Sequence, residues 1–142
     1  MPTHKHLLIR AEVKHPITTE RELKKWLRDL VYLIDMKIVK GPYASYVSEP
    51  GNRGVTGMVM IETSHIAFHA WDEERPSLVQ CDVYSCAEFS VTEVLAQFNM
   101  MEPVGVDYLV LDRKHDLTSK SCLLYTSPSP RDATLSRMPS SA

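Results

Sequence analysis

Up to about residue 120, the spacing of apolar and polar positions divides the chain into short elements. Residues 6–13 mix apolar side chains with Arg10 and Glu12 and read as a first strand, closed by Pro16, which cannot donate to a ladder. Leu23, Trp26, Leu27, Leu30, Leu33 and Ile34 then recur at spacings of three and four, the stripe of an amphipathic helix. Thr19-Glu20-Arg21-Glu22 stands before that stripe as a capping box, in which a hydroxyl and a carboxylate each satisfy an orphan amide. Residues 36–47 predict a strand interrupted at Gly41-Pro42, and 48–54 a loop rich in Pro and Gly. Residues 55–61, 66–71 and 76–84 predict three more strands, the first two joined through Thr63-Ser64-His65. Ser90-Val91-Thr92-Glu93 is a second capping box, opening a short helix through Val94, Leu95 and Phe98 that Pro103 ends, and 104–111 predicts a last strand. Strands this close in sequence pair antiparallel, so the fold class is α+β: a two-layer sandwich, mainly antiparallel sheet with two helices on one face. The chain has no material for a third layer, so the other sheet face is expected to be apolar and to close a homodimer.

Composition narrows the function classes. The 142 residues suit one domain, and 44% apolar with 24% charged residues is ordinary for a globular one. A net charge of −2 gives no basic field for nucleic acid. No apolar run reaches the roughly 18 residues of a spanning helix, so no membrane partner is expected. Three cysteines make no disulfide framework and point to a reducing, cytoplasmic setting. From Cys122 onward the composition shifts, with three of the nine prolines and five serines and no helix or strand period. Residues 122–132 resemble one reading frame of a transposase-type sequencing adapter, and 136–142 the same frame continued into a flow-cell primer. The expected domain is therefore 1–121, with 122–142 a non-native tail that makes few contacts.

Reactive groups concentrate between Gly54 and Trp71. Ser64 stands five residues before His69, and the thiol of Cys86 follows 22 residues after Ser64. A hydrolase triad lacks support, since no Gly-x-Ser-x-Gly elbow surrounds Ser64. A zinc site from His65, His69, Cys81 and Cys86 fails on geometry, because His65 and His69 lie about 13 Å apart in an extended strand. From spacing alone, these residues read as a satisfied core histidine and a buried cysteine.

Thr63-Ser64-His65-Ile66-Ala67-Phe68-His69-Ala70-Trp71, preceded by Gly54-Val55-Thr56-Gly57 and followed by Asp82-Val83-Tyr84-Ser85-Cys86, resembles the prokaryotic-type S-adenosylmethionine decarboxylase proenzyme family. The resemblance runs from about His6 to Arg113 and extends to divergent members carried by phages of marine cyanobacteria. It implies a proenzyme that cuts itself at Thr63–Ser64 and turns Ser64 into a pyruvoyl cofactor. Ser64 attacks the Thr63 carbonyl, a base matching His69 removes the serine Cα proton, and Thr56 donates to the developing oxyanion. Cys86 matches the thiol that later protonates the substrate carbon, a task suited to a group mostly protonated near neutrality. Glu73 matches an acidic residue for ribose hydroxyls, while Trp71 and Tyr46 are candidates to line the pocket and stack adenine.

The implied function is a pyruvoyl-dependent decarboxylase supplying decarboxylated S-adenosylmethionine for polyamine (spermidine) synthesis, working as a homodimer of cleaved chains and holding no metal. For one active site, Ser64, His69, Cys86 and Thr56 must converge, and in a dimer the partner supplies part of the pocket. Departures from the family pattern lie beside the site: Thr63 replaces Glu, Asp72 replaces Pro and Ala87 replaces Gly. They leave open the same chemistry on ornithine or arginine, and a non-catalytic homologue.

Overall fold

The structure, a computed structural model, describes residues 2–126. Strand β1 (Lys5–Val13) leads to helix α1 (Glu20–Leu33), then to strands β2 (Ile38–Val47), β3 (Gly54–Ile61), β4 (Ser64–Ala70) and β5 (Ser77–Ser85). Helix α2 (Val91–Ala96), a short 3-10 turn (Asn99–Met101) and strands β6 (Pro103–Asp112) and β7 (Ser119–Thr126) complete it. All seven strands form one sheet in the order β2-β3-β4-β5-β1-β6-β7, every neighbour antiparallel.

The predicted helix starts hold at their caps. The Thr19 hydroxyl accepts the Glu22 amide at 3.1 Å, and the Glu22 carboxylate accepts the amide of Thr18 at 3.4 Å, one residue before the expected donor. Ser90 caps α2 through the Glu93 amide at 3.2 Å. Leu23, Trp26, Leu27, Leu30 and Val31 turn the buried face of α1 to the sheet. The Trp26 ring lies 5.0 Å from that of Phe68 on β4 and 5.4 Å from that of Phe98 after α2, so both helical segments cover the same face. On the strands, burial alternates: Leu7, Ile9, Ala11 and Val13 of β1 and Val79, Cys81 and Val83 of β5 enter the core.

Gly54 opens β3 with φ 150°, and a Cβ there would lie 1.7 Å from the Ala70 carbonyl oxygen. Only glycine lets β3 begin this close to the end of β4. The β3–β4 hairpin runs from that close approach to Ile61 opposite Ser64, a two-residue turn at Glu62-Thr63. Ser64 and His65, expected between strands, are the first residues of β4.

Two expectations meet something different. The open face of the sheet is not an apolar surface. It carries His6 and Arg10 from β1, His65 and His69 from β4, and Gln80, Asp82 and Tyr84 from β5, alongside Leu8, Met58 and Met60. Strand alternation puts these positions opposite the core residues, so the period that buries their neighbours also gathers these polar side chains on one face. The second difference concerns the tail. Cys122 to Thr126 lies within β7 and pairs with β6, with Leu109 opposite Cys122 and Gly105 opposite Thr126. The edge of β6 offers backbone groups that need partners, and a Leu-Leu-Tyr run has the strand propensity to take them up. The rest of the expected tail, 127–142, lies outside the described residues.

Candidate active site

The residues singled out by sequence fall into two groups at opposite ends of β4. At its start, Ser64 adopts φ 151°. This left-handed region is nearly reserved for glycine, and holding a serine there stores about 1–3 kcal/mol of strain. The carbonyl immediately before it, that of Thr63, accepts the backbone amide of Cys86 at 3.0 Å. The β4–β5 register produces this hydrogen bond, because Ser64 stands opposite Ser85 and the residue just past the end of β5 reaches across to the turn. Ser85 is buried; its hydroxyl donates to Thr63 Oγ1 at 2.8 Å and accepts the Ala87 amide at 3.0 Å. Thr63 Oγ1 in turn donates to Met36 Sδ at 3.3 Å. The peptide bond between Thr63 and Ser64 is thus fixed on both sides, its oxygen polarised by a donor and its following residue strained.

At the other end of β4, Thr56 stands opposite His69, and the Thr56 hydroxyl and His69 Nδ1 share a hydrogen bond of 2.7 Å. Trp71 stacks on the His69 imidazole, centroids 5.7 Å apart and planes 25° off parallel, and its indole N–H donates to Asn52 at 2.7 Å. The Tyr46 hydroxyl donates to the Asp72 carboxylate at 2.9 Å, and that carboxylate raises the phenol's pKa. Glu73 accepts the Gly51 amide at 3.0 Å and lies 3.7 Å from Arg53. This end of the hairpin gathers rings, carboxylates and an imidazole, a set able to hold a flat heterocycle and hydroxyls.

Within one chain the two groups do not meet, which corrects the expected convergence. An extended strand rises about 3.3 Å per residue, so the five steps from Ser64 to His69 span about 16 Å. His69 and Thr56 lie out of reach of their own Ser64. A groove of about 390 Å³ runs along the open face beside His69, between Arg10, Gln80, Asp82 and Leu109.

Sequence reasoning missed what surrounds Ser64. Its hydroxyl lies 3.1 Å from His65 Nδ1. His65 Nε2 lies 3.6 Å from Asp82 Oδ2, and His6 Nε2 lies 2.9 Å from the same oxygen. Burial pushes the Asp82 carboxyl up, but the hydrogen bond from His6 and the electrostatic pull of the His6 and His65 imidazoles outweigh it and hold Asp82 below the ordinary range. Among the described residues, His6, His65 and Asp82 also bring three ligand atoms within 4.8 Å, the one such group large enough to hold a metal ion. Asp82 opens the Asp82-to-Cys86 segment, and its parity with Tyr84 on β5 is the signal that places it on the face of His65. Cys81, of opposite parity, is buried, and burial pushes its thiol up, away from any reactive state.

Comparison with known proteins identifies the family. A model of the S-adenosylmethionine decarboxylase family matches residues 7–113. An S-adenosylmethionine decarboxylase proenzyme of Hydrogenobaculum sp. (strain Y04AAS1) is 28% identical over 90 residues, 60% of this chain and 66% of that protein. The proenzyme of Archaeoglobus fulgidus is 36% identical over 62 residues, 42% of this chain and 54% of that protein. This chain therefore spans less than two thirds of the length of either relative. The crystal structure of the adenosylmethionine decarboxylase from Aquifex aeolicus VF5 superposes with a TM-score of 0.62 at 21% identity, over 79% of this chain and 91% of that one, and shares the fold. No described helix is long and apolar enough to cross a membrane. With a family model matched along most of its described length, the chain belongs to the S-adenosylmethionine decarboxylase family.

Proposed function

We propose that the chain is a self-cleaving decarboxylase of S-adenosylmethionine, cut between Thr63 and Ser64, with Ser64 as the source of its pyruvoyl group. The observation that carries this is the strained Ser64 directly after a carbonyl held by the Cys86 amide. A serine that must attack its own preceding carbonyl needs a strained turn and a donor for the oxygen, and the Ser64 backbone and the Cys86 amide support both. These residues fit the group: a pyruvoyl carbonyl, once formed at position 64, supplies the electron sink that loss of carbon dioxide requires. Cys86, immediately after β5, meets the Thr63–Ser64 turn through its backbone amide, which supports giving its thiol the protonation of the substrate carbon, a role the buried, inert Cys81 does not fit.

The 16 Å gap within one chain is the reason to assign Thr56 and His69 to the partner's Ser64. Two open faces related by a two-fold axis bring the His69 end of one β4 to the Ser64 end of the other. The exposed Met58 and Met60 on the open face, apolar side chains that solvent serves poorly, support that pairing. Removal of the Ser64 Cα proton then falls to the partner's His69, steadied by Thr56.

Trp71, Tyr46 and Glu73 favour a nucleoside over a bare amino acid, since only a nucleoside uses an aromatic surface and a hydroxyl acceptor together. The test is release of labelled carbon dioxide from carboxyl-labelled substrates. S-Adenosylmethionine should exceed ornithine and arginine in kcat/KM by about ten- to a hundredfold, the worth of one stacked base. Equal or greater turnover of ornithine or arginine would transfer the assignment to them, and no turnover of any would leave a non-catalytic homologue.

A further inference from the structure

Away from the groups already assigned, a cavity of about 340 Å³ between Pro2, Lys5, Glu88 and Lys114 has its charged groups engaged with one another, Lys5 with Glu88 and His115 with Asp112, and shows no group aimed at a ligand. The half-exposed Met58 and Met60 lie on the face already assigned to the partner chain. The row of side chains behind Ser64 carries more. Arg113 Nη1 lies 3.3 Å from His6 Nδ1. A guanidinium only donates, so His6 Nδ1 accepts and its proton sits on Nε2, pointed at Asp82 Oδ2 2.9 Å away. The Tyr84 ring packs against both imidazoles, 5.4 Å from His6 and 5.9 Å from His65, and the Arg113 guanidinium lies over it at 3.9 Å. Asp82 Oδ2 faces His65 Nε2 at 3.6 Å, just beyond hydrogen-bond length. A carboxylate there favours the His65 tautomer with its proton on Nε2. Nδ1 is then left as an acceptor for the Ser64 hydroxyl, 3.1 Å away.

We propose that His65 is the base that activates Ser64 for the first step of self-cleavage, with Asp82 and His6 as positioning residues that fix its tautomer. The proposal rests on the self-cleavage reading and divides the work between two histidines. As Ser64 Oγ bonds to the Thr63 carbonyl carbon, its proton passes to His65 Nδ1, and the Cys86 amide holds the oxygen that gains charge. As the Thr63–Ser64 C–N bond breaks, His65 returns that proton to the Ser64 nitrogen. The amide becomes an ester, nothing else is consumed, and His65 ends as it began. His69 is too far away for this step and serves the next one, in the partner's site.

The experiment follows cleavage of freshly synthesised precursor on denaturing gels, with and without hydroxylamine, which cuts esters but spares amides. His65→Ala should slow cleavage by about a hundredfold or more. Hydroxylamine should not restore it, because no ester has formed, whereas added imidazole should restore part of it. Asp82→Asn should slow cleavage with the same indifference to hydroxylamine, and Asp82→Glu should recover most of the rate. A merely structural role would not separate the two reagents. Thermal melting close to that of the unaltered chain guards against misfolding. A His65→Ala precursor that cleaves at the unaltered rate, or that hydroxylamine cuts, would overturn the proposal. If the unaltered chain itself stays whole, the self-cleavage reading fails and takes this proposal with it. A cut unaltered chain beside an equally cut His65→Ala chain defeats the role of His65 alone.

Discussion

Ser64→Ala is expected to run as a single uncut band and to release no carbon dioxide from S-adenosylmethionine. Alanine has no oxygen to attack the Thr63 carbonyl, and no other nucleophile occupies that position, so both cleavage and the cofactor made from it are abolished. The fold should survive, because the substitution removes one side-chain hydrogen bond, that to His65, worth about 1 kcal/mol. Ser64→Gly should also stay uncut yet melt higher, since glycine takes φ 151° freely and releases about 1–3 kcal/mol of strain. The two variants together distinguish a strained nucleophile from an ordinary turn residue. Full decarboxylase activity in Ser64→Ala would return Ser64, His69 and Cys86 to the status of structural residues.

His69→Ala is expected to stop one step later. Its Ser64 can still form the ester, so the chain should remain whole in buffer and be cut by hydroxylamine. Because His69 lies about 16 Å along β4 from its own Ser64, the defect should be repaired from outside the chain. When His69→Ala and Ser64→Ala chains are co-expressed in equal amounts, a mixed dimer joins an intact Ser64 to an intact partner His69. Random pairing places about half of the His69→Ala chains in such dimers, and that fraction should cleave. Neither variant should cleave alone. Failure of the mixture to cleave, with mixed dimers present by mass, would show that the two ends of β4 do not work across an interface.

How much of this was legible in the sequence depends on the length scale of the signal. The elements were readable because each carries its own mark: the stripe from Leu23 to Ile34, the caps at Thr19 and Ser90, and the alternation along residues 76–84. Strand β7 was not, because an edge strand needs only a neighbour with backbone groups to offer, and that neighbour, β6, is a property of the fold. The family motif picked out Ser64, His69 and Cys86 but not their distances. The distance from Ser64 to His69 was within reach, because the strand rise that sets His65 and His69 about 13 Å apart also sets Ser64 and His69 about 16 Å apart; what the motif could not show is that no fold-back brings the ends of β4 together. The surroundings of Ser64 were hidden for a related reason. His6, His65 and Asp82 come from three strands whose registers, Leu8 opposite Asp82 and His65 opposite Tyr84, bring them to one face. The polarity of the open face could have been read directly from the residues left over after the apolar positions of β1, β4 and β5 were assigned to the core.

The mass of the purified unaltered protein under denaturing conditions tests the central claim most directly. The account predicts two chains in equal amount. One ends at Thr63 with a free carboxyl, and the other begins at position 64 and weighs less than its serine form by one ammonia, since the side-chain oxygen leaves with the ester and water replaces the amine nitrogen. Borohydride should add two hydrogens to that second chain alone. A single mass equal to the whole sequence, or two chains whose second begins with an unaltered serine, would contradict it.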